Sequence, residues 1–205
     1  VRFGLDNENA SRNQWTDNLV INTTDNAVFF THSFNVTMRN NTLLNTFDQN
    51  SGGYGAGAVY MVNSSSNEFQ DMRIIDVAGS VWELHAGHNN VWKNVTIQNG
   101  RKGFVVQNGT GNSFTNITFT NTSIPVELYN LFGATFSNTS IPSGLRLINA
   151  SYVNLNFTQA INATATLGFD AVRFGRNGAS IITSTEPRLN LSARIVFRQL
   201  TFNSA

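Results

Sequence analysis

The sequence predicts an all-β fold, a solenoid of stacked parallel coils with a short antiparallel β cap or extension at its C-terminal side. Three observations lead there. First, a ten-residue phrase recurs: Asn67-Glu-Phe69-Gln-Asp71-Met-Arg-Ile74-Ile-Asp76 returns as Asn90-Val-Trp92-Lys-Asn94-Val-Thr-Ile97-Gln-Asn99 and as Asn112-Ser-Phe114-Thr-Asn116-Ile-Thr-Phe119-Thr-Asn121. A repeat of about 22 residues, spelled with Asn, β-branched and aromatic residues, is one coil of a solenoid. Second, side chains alternate within the phrase. Met72/Ile74, Val95/Ile97 and Ile117/Phe119 point one way, while Arg73, Thr96 and Thr118 point the other. A period of two is a strand with one buried face. Third, helix signals are nearly missing from the chain.

Taken in order, the earliest copy is Asn13-Gln-Trp15-Thr-Asp17-Asn-Leu-Val20-Ile-Asn22, and Thr31-His-Ser-Phe-Asn35-Val36-Thr-Met38-Arg-Asn40 keeps the second half of the phrase. The interval from Asn35 to Asp71 is wider and holds the Gly-rich run Gln49–Gly57, expected to bulge out as a loop. After the three clear copies, Tyr129–Asn138 and Ala150–Gln159 continue the pattern, with Ala134/Phe136 and Leu155/Phe157 facing in and Thr135 and Asn156 facing out. The third letter forms a column, Trp15, Phe69, Trp92, Phe114, Leu131 and Tyr152. Stacked coils would place these side chains about 4.8 Å apart, as core. Between phrases lie second apolar runs that end in Asn: Ala58–Asn63, Gly103–Asn108, Val126–Asn130 and Gly144–Asn149. They read as a second sheet closed by turns, because Asn tolerates the left-handed conformation and bonds its own backbone. Asn in register on successive coils can also form an amide ladder. Beyond residue 160 the phrase dissolves. Thr164–Gly175 and Leu189–Phe202 still alternate like strands, joined by the polar turn Ser184–Pro187. The expected division is a solenoid over 1–160 and a C-terminal β-element over 161–205. The four letters Val1–Gly4 return as Val172–Gly175, either by chance or because the two strands hold equivalent places in an assembly.

Composition narrows the function classes. The chain has 205 residues, 40% of them hydrophobic, which fits a packed core and not a disordered segment. Charged residues make up only 12%, roughly half the usual share. The net charge of +1 and only two lysines, Lys93 and Lys102, give no basic face for nucleic acid or an anionic membrane. Without cysteine there is no disulfide, thiolate metal site or cysteine nucleophile. No apolar run approaches the ~18 residues of a membrane span. The chain opens on Val1-Arg-Phe-Gly4 with no signal peptide, which reads as a mature or excised segment.

Motifs for chemistry are sparse. No Gly-x-Ser-x-Gly and no phosphate loop is present, and nothing calls for a cofactor or a metal. One run is spelled unlike its counterparts: Ser80-Val-Trp82-Glu83-Leu-His85-Ala-Gly-His88, followed within a coil by Arg101 and Lys102. Local rule-breaking is where function can hide, so Glu83, His85, His88, Arg101 and Lys102 are candidate contacts for a sugar or an ion. If the register is such that Trp82 and Leu84 turn inward, Glu83 and His85 are a solvated surface instead. His85 and His88, three apart, are alone a weak metal signal.

The Asn-x-aromatic-x-Asn-x-Thr-apolar phrases and the apolar runs ending in Asn resemble the right-handed parallel β-helix repeat family, the NosD-like carbohydrate-binding and sugar-hydrolase repeats. The resemblance covers about residues 13–159. It implies a right-handed parallel β-helix, and functions that range from polysaccharide lyases and hydrolases to phage tailspikes and surface-layer proteins. The hydrolases' Asn-Thr-Asp, Asp-Asp, Gly-His-Gly and Arg-Ile-Lys motifs do not occur here, nor does the Asp-Pro-His-Asp of related epimerases. Fourteen Asn-x-Ser/Thr glycosylation acceptors do occur, more than chance placement of this composition gives. Dense acceptors in such repeats resemble archaeal cell-surface proteins. The expectation is therefore a structural or adhesive extracellular surface glycoprotein, the subunit of a layer, sheath or filament, whose partners are its own copies or neighbouring surface proteins. Alternatives are a polysaccharide-binding or polysaccharide-degrading protein and a trimeric viral receptor-binding spike. Asn35, Asn94 and Asn116 lie inside the phrase, where the repeat itself explains them. Asn9, Asn63, Asn108, Asn149, Asn162 and Asn190 are the expected glycan carriers.

Overall fold

The computed structural model describes residues 4–46, 57–130, 134–149, 153–175 and 178–197. Among the described residues, twenty-one non-glycine residues have a positive φ, and all fall on four lines that run along the molecule. Line A holds Asn9, His32, Asn63, Ala86, Asn108 and Asn130; line B holds Arg12, Asn35, Ser66 and Asn89, continued by Gly111. Line C holds Asp17, Asn40, Asp71, Asn94, Asn116 and Asn138; line D holds Asn22, Asn45, Asp76, Asn99 and Asn121. Each is a sharp corner between short strands. The left-handed conformation costs an ordinary L-residue about 1–2 kcal/mol and Asn or Asp much less. Corner geometry, repeated coil after coil, is the physical reason that the fifth and tenth letters of the phrase are Asn or Asp.

The corners set the coil length. Hydrogen-bonded neighbours on adjacent coils are 22 or 23 residues apart, as in Asn94 with Asp71 and Asn116 with Asn94. Asn63 and His32 are 31 apart. The additional residues enter between Asn45 and Asn63, where the Gln49–Gly57 run lies; residues 47–56, which take in all of that run but Gly57, are outside the described residues.

Three strands per coil build a β-solenoid of about six turns. The first coil has β1 (Leu5–Glu8), β2 (Gln14–Thr16) and β3 (Leu19–Ile21); the second has β4 (Val28–Thr31), β5 (Thr37–Arg39) and β6 (Thr42–Thr46). Then come β7 (Gly57–Val62), β8 (Glu68–Gln70), β9 (Arg73–His85), β10 (Val91–Gln107) and β11 (Asn112–Thr120). The last three of these are long because the strand runs on through a line D or line C corner. Next are β12 (Ile124–Tyr129), β13 (Ala134–Ser137), β14 (Thr139–Ile141) and β15 (Arg146–Ile148). On the first face β1, β4, β7, the end of β9, the end of β10, β12 and β15 pair in parallel. On the second, the order is β2, β5, β8, the start of β10, the start of β11 and β13. The third is β3, β6, the start of β9, the middle of β10 and the end of β11.

The core fills the space between the faces. On the second face, Trp15, Met38, Phe69, Trp92, Phe114 and Phe136 lie in one row across the ladder. Trp92 stacks on Phe114 at 4.5 Å and 9°, and Phe114 on Phe136 at 4.7 Å and 11°. Trp82 and Phe104 of the first face meet this stack edge-on, at 5.5 Å from Trp92 and 4.7 Å from Phe114. Offset-stacked and T-shaped pairs are favoured by the ring quadrupoles. Where the chain enters the phrase, a buried amide ladder replaces apolar contacts: Asn67 Nδ2 donates to Asn90 Oδ1 at 3.0 Å and Asn90 Nδ2 to Asn112 Oδ1 at 3.2 Å. The same carboxamide oxygens accept the backbone N–H groups of Asn67 and Asn90. Polar groups of the corner are thereby satisfied away from water.

Three expectations are corrected. Leu131 and Tyr152 lie outside the described residues, and the place after Phe114 in the aromatic row belongs to Phe136. Thr31–Asn40 matches the first half of the phrase, since Met38 pairs with Phe69. Both slips are five residues long, because lines B, C and D are spaced by five residues and successive strands are spelled alike. Finally, of the expected copy Ala150–Gln159, the described residues 153–159 do not form another coil. Their strand β16 (Val153–Phe157) runs antiparallel to β15.

That reversal begins the C-terminal closure. It continues with β17 (Ile161–Ala163), antiparallel to β14, and the hairpin of β18 (Val172–Gly175) with β19 (Gly178–Ile181). The 3-10 turn Pro187–Leu189 and β20 (Ala193–Phe197), which pairs with β16, complete it. Leu167 bonds Phe136 in both directions, and the buried Phe169 ring lies 6.2 Å from that of Phe136. These side chains plug the end of the aromatic row. Val1–Phe3 are outside the described residues, so the repeated Val-Arg-Phe-Gly is seen only as strand β18.

Candidate functional site

The first face carries chemistry on its outer side. Trp82 and Leu84 are buried inward, so Glu83 and His85 project outward, as the shifted register requires. They are nevertheless not a solvated surface. Glu83 is only 7% exposed and His85 half-buried, with His85 Nε2 3.5 Å from Glu83 Oε2. Across the ladder, Glu83 pairs with Tyr60 on one side and Val105 on the other, and Val105 pairs with Glu127. Glu127 is 3% exposed. It accepts a hydrogen bond from the Tyr129 hydroxyl, and Lys102 Nζ lies 3.2 Å from its Oε2. The Phe29 ring stacks on Tyr60 at 5.7 Å, and the His85 ring lies 5.3 Å from Tyr60 on another side. Burial pushes the Tyr60 hydroxyl above its ordinary pKa, and the negative charge of Glu83 adds to the rise.

Of the five sequence-predicted contacts, the structure brings Glu83, His85 and Lys102 to this face. His88 is elsewhere, at the next corner, where its Nδ1 sits 2.9 Å from Thr110 Oγ1 and its N–H donates to Ser65 Oγ. Arg101 is exposed where β10 turns from the third face to the first. Tyr60, Glu127 and Tyr129 were missed. Their signal was present: when the apolar runs are aligned on the corner that ends each, Tyr60, Glu83, Val105, Glu127 and Arg146 fall in one row. Counting Asn108 against Ala86, and not against His85, gives that register. Glu83 and Glu127 are two coils apart, about 9.6 Å at the ~4.8 Å strand spacing. Each carboxylate is already in contact with a nitrogen base. Among the described residues, no three of His, Asp and Glu converge to hold a metal ion.

Burial sets two groups of asparagines apart, with others such as Asn13, Asn18, Asn89, Asn99 and Asn130 in neither. Asn7, Asn26, Asn41, Asn67, Asn90 and Asn112 are buried, and none of them begins an Asn-x-Ser/Thr triplet. All fourteen acceptor asparagines are exposed except Asn149 and Asn156, which are half-buried. Ten of the fourteen occupy left-handed corners; Asn149, Asn156, Asn162 and Asn190 do not. Corner amides on lines C and D form exposed ladders, headed by the carboxylates Asp17, Asp71 and Asp76 and, for Asn45, by Asn22. Asn94 Nδ2 donates to Asp71 at 2.8 Å and Asn116 Nδ2 to Asn94 at 2.8 Å; Asn121 Nδ2 donates to Asn99 at 3.0 Å and Asn99 Nδ2 to Asp76 at 2.7 Å. Asp only accepts, so it stands only at the head of a ladder.

No protein-family model and no curated protein matches the chain. The solenoid by itself does not single out a family, because one fold hosts many functions.

Proposed function

We propose that the protein is a structural or adhesive extracellular surface glycoprotein, a unit of a layer, sheath or filament. The observation that supports this reading is the division of the asparagines. Amides needed inside the molecule never carry an acceptor triplet, and those that carry one all reach the surface. A glycan is bulky and solubilising, and here it would hydrate a surface with few charges. The outer row of the first face fits the same reading, since both its carboxylates are covered, Glu127 paired with the Lys102 ammonium and Glu83 with the His85 ring beside it. Intact-mass and glycopeptide analysis of the protein from its native source tests the proposal. Glycan at several of Asn9, Asn63, Asn108, Asn149, Asn162 and Asn190 is expected, and an unmodified mass would sink it.

A second reading, binding of a polysaccharide, draws on the aromatic rings of Phe29 and Tyr60 beside Glu83 on one outer row. Rings and acceptors at regular spacing suit a hydroxyl-rich chain. Retention on an immobilised polysaccharide that is lost in Tyr60→Ala would favour it over the first.

A further inference from the structure

Acceptor asparagines are not distributed evenly over the four corner lines, and the difference bears on which of them carry sugar. Line A reads Asn9, His32, Asn63, Ala86, Asn108, Asn130. Asn9, Asn63 and Asn108 begin acceptor triplets; Asn130, followed by Leu131 and Phe132, does not. Acceptors on this line therefore fall on every second coil, with His32 and Ala86 between them. Line C is arranged otherwise. Asn94, Asn116 and Asn138 are acceptors on three consecutive coils, each hydrogen-bonded to the one before.

We propose that line A is a glycan-bearing edge, with N-linked glycans on Asn9, Asn63 and Asn108 of the same molecule, and that the consecutive acceptors of line C are not glycosylated together. The inference rests on the glycoprotein reading and adds a geometry to it. In the transfer, Asn Nδ2 bonds the anomeric carbon of a phosphate-activated sugar donor. The donor's bond from that carbon to the phosphate oxygen breaks, its electron pair leaves on the phosphate, and Nδ2 loses one proton. Two physical facts then separate the lines. One is spacing. Glycans on line A stand about 9.6 Å apart, twice the strand spacing, and on line C only ~4.8 Å. A bulky substituent at each line C position would crowd the next.

The other is what the amide nitrogen already does. On line C the atom that would be modified is the ladder donor, to Asp17 from Asn40 at 2.5 Å, to Asp71 from Asn94 at 2.8 Å and to Asn94 from Asn116 at 2.8 Å. On line A the contacts are as long as the weakest of line C, Asn138 Nδ2 to Asn116 at 3.4 Å, and they partly spare that atom. Asn63 Nδ2 lies 3.4 Å from His32 Nε2, and Asn108 is approached at its oxygen, by Asn130 Nδ2 at 3.4 Å.

Site-resolved glycopeptide mass spectrometry on the native-source protein tests this. Occupancy several-fold higher at Asn9, Asn63 and Asn108 than at Asn94 and Asn116, whose Nδ2 atoms make the 2.8 Å contacts, is expected. Comparable occupancy of two adjacent line C sites in one molecule would overturn the inference and leave the glycoprotein reading standing. A chain without any glycan would overturn both. A second arm fills the gap in line A with Ala86→Asn plus His88→Thr, expressed in the same host. Ala86 has φ 52°, a conformation that Asn accepts better than Ala, so the fold is kept, as circular dichroism would verify. Added occupancy at position 86 should come with a loss at Asn63 or Asn108. Full occupancy at all three would overturn the spacing argument.

Discussion

A single residue type performs two opposite tasks in this molecule, and its position decides which. Asn90 is buried, and its side-chain oxygen takes both the N–H and the Nδ2 of Asn67. Four residues on, Asn94 is exposed, has φ 54°, and bonds an exposed Asp71 carboxylate. Replacing Asn90 by Ala orphans the Asn67 N–H and the Ser64 carbonyl in a buried place, while Asn112 Oδ1 keeps the backbone N–H of residue 90. The expected loss is about 3 kcal/mol, since each buried group left unmet costs about 1–3 kcal/mol. Asn94→Ala should cost only the left-handed penalty of about 1–2 kcal/mol, and Asn94→Gly should fall within about 0.5 kcal/mol of the parent. Urea unfolding of the three variants checks the order. Equal losses for Asn90→Ala and Asn94→Ala would contradict the division of roles. Alternation made the inward residues legible in the sequence, but the split between corner and ladder was not. Both kinds of site are spelled Asn, and only φ and burial distinguish them.

At the scale of the strand, the aromatic row on the second face organises the core. Trp92 is at its centre, with Phe69 stacked at 5.3 Å on one side and Phe114 at 4.5 Å on the other. Trp92→Ala is expected to cost about 3–5 kcal/mol, in the range for a buried aromatic replaced by a small residue. Trp92→Phe should cost less than half as much. It keeps the stacked ring and removes an indole N–H that is buried without an acceptor among the described residues. Thermal unfolding of the two variants gives the comparison, and equal losses would mean that the row contributes volume and no stacking geometry. The sequence showed most of this row, through Trp15, Phe69, Trp92 and Phe114. It misplaced the end of the row because the five-residue spacing of corners lets two neighbouring strands exchange places in an alignment. The outer row with Tyr60, Glu83 and Glu127 was half-seen for a similar reason: a one-residue error in the corner moves every side chain to the opposite face.

Over the whole molecule the two ends differ. The first coil has neighbours on one side only among the described residues, and its Leu19 is 62% exposed and its Ile21 41%. At the other end Leu167 and Phe169 cover the core, and Arg188 fastens the closure. Its guanidinium donates to Ala165 O and Thr166 O at 2.8 Å and takes Glu186 bidentately at 2.6 Å. The Arg188 hydrogen bond holds the Glu186 carboxyl below its ordinary pKa of 4.5, against the opposing effect of burial and helped by the Arg188 charge and backbone N–H. A lowered folded-state value stabilises above the ordinary carboxyl range and is lost as pH falls through that lowered value. Amide hydrogen exchange should therefore show the C-terminal closure losing protection below about pH 4.5, with the loss set by this carboxyl. In Glu186→Gln that pH dependence should vanish from residues 165–190, with lower protection at neutral pH. An unchanged acid response would assign it to another group. Coils in a solenoid touch only their neighbours, so the central coils should keep their protection in both proteins.

What the sequence determined by itself is the coil. A period near 22, alternation within five-residue strands and Asn at the turns are local properties, legible because every coil repeats the same physical problem. Tertiary structure decided what repetition leaves degenerate. It decided which of two similarly spelled strands pairs with which, and that Val153–Phe157 reverses to close the stack although its letters match the phrase. It also decided that Glu83 and Glu127 lie in one covered row, and that the acceptors Asn9, Asn63 and Asn108 share an edge on alternate coils. Apart from the reversal, which pairs residues 6 to 10 apart, each of those facts depends on register between residues 22 to 31 apart, and a one-residue change in a corner alters it without changing the local pattern at all.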